Sequence, residues 1–156
     1  MLGRLLANAL AALRRLELHW RWENPSPRAS AVLTPTDAAV AALRRGTAVL
    51  APLLESHGYR LQAPTEGQGS GGPFAWTTFV RGSRVLELHQ RFGLGIVLYR
   101  DAAVWLEHGE YMRALGADPT EVRYPGYDAD PLAAYAAVLA DLQRYATEFL
   151  GTDAPV

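Results

Sequence analysis

A chain of 156 residues, 49 % hydrophobic and 20 % charged, has the composition of a globular domain large enough to bury a core without a disulfide or structural metal. It has no cysteine, which excludes thiol catalysis, disulfides and thiolate metal sites. All fifteen basic side chains are Arg, which excludes a lysine Schiff base and a phosphate loop ending in Lys, and the net charge of -1 gives no general attraction to nucleic acid.

Arginine without lysine, alongside abundant Ala and Leu, reads as the coding preference of a GC-rich bacterial genome. The lack of cysteine fits a reducing cytoplasm. Arg4 and the apolar run after it look at first like the start of a secretory leader. The run meets Arg14, Arg15 and Glu17 where a small-residue cleavage site would be needed, and it is far short of the roughly 20 residues that span a bilayer. Residues 1–22 are therefore expected to form an amphipathic helix, with Leu2, Leu5, Leu6, Leu10, Leu13 and Leu16 near helical spacing. Trp20, Arg21 and Trp22 at its end suit helix packing better than a nucleic-acid or membrane contact.

Residues 23–33 form a proline-containing linker, and the main body spans 34–156 of a single domain. It opens on a strong helix start. Thr34 can cap, Pro35 fits the first helical position and Asp37 complements the positive helix end. Val40, Leu43, Val49 or Leu50, Leu53 and Leu54 continue an apolar stripe, Pro52 should kink or restart the helix, and Gly58 marks its end.

Tyr59 to Ala63 reads as a short strand and Pro64 to Pro73 as a mobile glycine-rich loop. That loop lacks the residues and the following helix of a phosphate site. From Phe74 to Arg100 the pattern is a strand meander. Arg81-Gly82-Ser83-Arg84 is a two-residue hairpin turn that sets Val80 opposite Val85, Thr78 opposite Glu87, Trp76 opposite His89 and Phe74 opposite Arg91. Phe92 and Gly93 turn the chain into a third strand, and Val104 to Leu106 supplies a fourth. A short helix over Glu110 to Leu115, a turn-rich loop and a long helix from Pro131 to Gly151 complete the chain, the last capped by Asp128 or Asp130.

This order predicts an α+β fold. An antiparallel meander sheet of about four to five strands is packed on one side by N- and C-terminal helices, in two layers. The other sheet face is then left partly open, and Glu87, His89 and Arg91 alternate along it. As an active site, the row would use His89 as base, Glu87 to orient it and Arg91 to hold an anion, with Tyr99, His108 and Tyr111 nearby. No serine elbow or metal-binding spacing supports that chemistry, so no metal and no cofactor are expected.

Phe74 and Trp76 on the same face, together with Tyr124 and Tyr127 in the Arg123 to Asp128 loop, favour a second reading. Aromatic and Arg side chains of this kind make protein-binding surfaces. The expectation is a small bacterial cytoplasmic protein that binds another protein. Immunity proteins and antitoxins provide an analogy at the level of fold class only. The alternative is a small hydrolase or nuclease. No membrane partner is expected, nucleic acid is disfavoured and a homo-oligomer remains open.

Overall fold

The computed structural model describes residues 34–101, 103–127 and 130–151. They all belong to one unit, Thr34–Val156. The helix and linker expected over 1–33, including Trp20 to Trp22, lie outside the described residues, as does Asp128.

Helix α1 spans Pro35–Ser56 and begins as its sequence dictates. Thr34 Oγ1 accepts from the Asp37 amide at 3.1 Å, while the Asp37 carboxylate accepts from the Thr34 amide. The Thr34 hydroxyl, which donates to the Asp37 carboxylate at 2.7 Å, and then the Thr34 amide hold the Asp37 carboxyl below its usual range. Pro52 does not end the helix. It and Ala48, whose carbonyl it leaves without a helical donor, are both exposed, so water can satisfy that carbonyl.

Six antiparallel strands follow: β1 (Arg60–Leu61), β2 (Thr65–Gly69), β3 (Gly72–Arg81), β4 (Arg84–Gln90), β5 (Leu94–Asp101) and β6 (Val104–Glu107). The sheet runs β1-β3-β4-β5-β6, with β2 also paired to β3. Because β4 takes one side of β3, β1 and β2 share the other as one interrupted edge. Pro64, which has no amide to donate, lies at the interruption. The segment read as a mobile glycine-rich loop is thus largely strand. Thr65 pairs with Trp76, Gly67 with Phe74 and Gly69 with Gly72. Its exposed, glycine-rich sequence has no apolar alternation to announce a strand, since an edge strand can take its order from its neighbour's backbone.

The β3–β4 register has three of the pairs expected from the turn, Val80 opposite Val85, Thr78 opposite Glu87 and Trp76 opposite His89, and the ladder ends at Ala75 and Gln90, one step short of Phe74 and Arg91. Gly82 takes φ +58° in that turn. The β4–β5 register shifts between His89 and Gln90, which pair with Ile96 and Leu94 and leave Gly95 of β5 as the extra residue.

Helices α2 (His108–Ala114), α3 (Pro131–Tyr145) and α4 (Thr147–Leu150) complete the fold, α3 being capped by Asp130, whose Oδ1 accepts from the Leu132 and Ala133 amides. The long helix expected up to Gly151 is therefore two helices broken at Ala146. One sheet face, with Ala75, Phe79, Leu86, Leu88, Val97 and Tyr99, forms the core with Leu43, Leu50 and Leu54 of α1 and Tyr135, Val138 and Leu142 of α3. Burying an aliphatic or aromatic side chain in such a layer contributes about 1.5–3 kcal/mol. The fold is α+β, with helices on an antiparallel sheet.

Candidate functional site

The opposite face of the sheet carries Phe74, Trp76, Thr78 and Val80 from β3, Val85, Glu87 and His89 from β4, and Ile96, Leu98 and Arg100 from β5. Apart from Val85, these side chains are partly or fully exposed. Period-2 geometry and the hairpin register bring the predicted residues together here. His89 Nε2 lies 2.6 Å from Glu87 Oε1, with both side chains about one-fifth exposed. The His89 ring stacks on Phe74 at 5.7 Å and on Trp76 at 6.0 Å. The Arg91 guanidinium sits 5.7 Å over the Phe74 ring.

The glycines of β2 and the following turn explain why these groups lie where they do. A Cβ on Gly67 would come within 2.4 Å of the Phe74 ring, and one on Gly71 within 1.7 Å of the Arg91 guanidinium. Bare backbone at these positions lets Phe74 and Arg91 lie flat on the hairpin. The glycines therefore serve as a bed for two site residues.

At this end of the face a pocket of about 570 Å³ opens between Phe74, His89 and Arg91 on one side and Phe92, Ile96 and Tyr127 on the other. That volume falls within the range of small-ligand and side-chain pockets. Its rim is unusually apolar for solvent-facing structure: Phe92 is 78 % exposed, Tyr127 55 % and Ile96 45 %. Glu87 does not line the pocket, and neither does any Ser, Thr, Asp or Glu among the described residues. The row thus supplies an imidazole and a guanidinium to the cavity, but no nucleophile.

Tyr99 and His108, proposed from the sequence as neighbours of His89, lie elsewhere. Tyr99 pairs with Leu86 and Leu106, one residue out of phase with the open-face positions, so its side chain enters the core. There its hydroxyl meets His108 Nδ1 at 2.9 Å, and His108 Nε2 meets Asp141 Oδ2 at 3.0 Å. A neutral imidazole satisfies both contacts if Nδ1 accepts from the tyrosine and Nε2–H donates to the carboxylate. Asp141 also accepts from the Arg123 and Tyr124 amides at 2.9 Å. Tyr99, His108 and Asp141 are 0 %, 3 % and 1 % exposed. Burial pushes the His108 pKa down and the Tyr99 pKa well up, the first partly opposed by the hydrogen bond and charge of Asp141.

Asp141 was not anticipated. Its signal is an acid on the buried stripe of α3, in line with Val138 and Leu142. Tyr124, expected at a binding surface, is instead 4 % exposed, its hydroxyl donating to the Leu94 and Gly126 carbonyls at 3.0 Å. Tyr111 stacks on Tyr99 at 4.4 Å in the same cluster. The crevice that touches His108 measures only about 70 Å³, too small for an organic substrate.

No group of three or more His, Asp or Glu side chains among the described residues is arranged to hold a metal ion, and no described helix is long and apolar enough to cross a membrane. No protein-family model, curated protein or solved structure matches the chain.

Proposed function

We propose that the protein is a non-enzymatic protein-binding module whose contact surface is the pocketed end of the open sheet face. The observation that carries this reading is the rim of Phe92, Ile96 and Tyr127, three large apolar groups turned to solvent around one cavity. Aromatic and Arg side chains around a central depression are the usual composition of an interface hot spot. The Arg-only basic set and the lack of cysteine support a bacterial cytoplasmic module, and the analogy with immunity proteins and antitoxins extends no further than the fold class.

The test is affinity capture from the native host, followed by calorimetry of the purified partner with wild-type protein and with Phe92→Ser. Phe92 is so exposed that the substitution should leave folding intact, yet binding should weaken about 30-fold if Phe92 is a hot spot worth about 2 kcal/mol. A partner that binds Phe92→Ser and Tyr127→Ser as tightly as wild type would place the interface elsewhere.

The Glu87–His89 contact at 2.6 Å favours a second reading, a small hydrolase or nuclease with His89 as base. That reading requires turnover by the purified protein that His89→Ala abolishes while partner binding survives.

A further inference from the structure

The pocket sets a guanidinium beside an apolar wall. Arg91 lines it, fixed over Phe74 and the glycine bed, with no described carboxylate in ion-pair contact. Gln90 also borders it, but its side chain turns to the core face, where its Oε1 accepts from the Tyr135 hydroxyl at 3.3 Å. Glu87, the nearby acid of the row, is engaged by His89 and lies outside the cavity. Among the described residues no carboxylate neutralises this cation, and a guanidinium held over an aromatic ring is a receptor for a planar anion.

The other half of the pocket is apolar, and its rim projects outwards. Sites for small molecules bury most of the ligand, whereas Phe92 and Tyr127 at this pocket each keep more than half of their surface exposed. That geometry suits a group attached to a larger body.

Resting on the protein-binding reading above, we propose that the pocket takes an acidic segment of the partner polypeptide, in which an Asp or Glu side chain meets Arg91 while an adjacent large apolar side chain packs against Ile96, Phe92 and Tyr127. Charge complementarity to Arg91 selects the acid. The apolar rim selects its neighbour.

The test is an amide-shift titration of ¹⁵N-labelled protein with three probes: the blocked peptides acetyl-Ala-Glu-Phe-Ala-amide and acetyl-Ala-Gln-Phe-Ala-amide, and free phenylacetate. The Glu peptide should shift the Gly93, Gly95 and Ile96 amides and bind about fivefold tighter than the Gln peptide, a typical gain for one partly exposed charge pair. Arg91→Gln should erase that difference. Equal affinities for the two peptides at these amides would overturn the acidic preference while leaving protein binding intact. Shifts with phenylacetate and with neither peptide would overturn both and make the pocket a small-molecule site. Failure of all three probes to shift these amides would overturn the assignment of the pocket as receptor.

Discussion

Among the described residues there are two histidine–carboxylate contacts, and they are built for opposite purposes. His108 and Asp141 meet at 3.0 Å in the core, both ring nitrogens are engaged and the carboxylate takes two further backbone donors. His89 and Glu87 meet at 2.6 Å on the open face, and the ring stacks on aromatic neighbours beside a cavity. Burial with complete pairing leaves nothing for a ligand, so the inner contact can only hold structure. Partial exposure beside a cavity leaves the outer one available. The inner network holds the loop from Arg123 to Tyr127, whose last residue forms one wall of the outer pocket, so the two regions join as support and surface.

Asp141→Ala should separate the two regions most strongly. It strands the Arg123 and Tyr124 amides and His108 Nε2 in the core, and leaving such a buried network broken costs about 3–5 kcal/mol, read as a lower denaturant midpoint. A loss below about 1 kcal/mol would remove the distinction between core and face.

The pH dependence follows next. Burial lowers the folded His108 pKa below that of the unfolded chain, so the unfolded state takes up the proton first. Stability is retained above about pH 6.5, the unfolded value, and falls as pH drops from there towards the folded pKa. His108→Gln should remove this part of the slope in urea titrations between pH 7.5 and about 5. An unchanged slope would mean that His108 is not the group responsible.

Glu87→Ala should cost less than about 1 kcal/mol, because both partners are partly exposed and each can be solvated. Phe92→Ser should be the mildest of all for stability, within about 0.5 kcal/mol, while carrying the binding defect described above. A larger stability loss on the open face than in the core would invert the account.

The difference in legibility between these regions has a physical cause. The outer row was readable because a two-residue turn at Gly82 fixes register over the whole hairpin, and register fixes which side chains share a face. Tyr99 was misplaced although the same parity rule governs it, since Tyr99 is one residue out of step with Leu98 and Ile96. The inner network joins residues 9 and 33 positions apart, from a strand, a helix start and a distant helix. No local period encodes such a packing contact. The strand β2 was hidden because its glycines carry no side-chain pattern, and the demand for them comes from Phe74 and Arg91, outside the strand itself.

Carbethoxylation of histidines in the native protein, followed by peptide mass analysis, tests the division between open face and closed core most directly. His89 should be modified and become shielded when the acidic peptide or the native partner binds, while His108 should stay unmodified until the protein unfolds. Rapid modification of His108 in the native state, with His89 inert, would contradict the account.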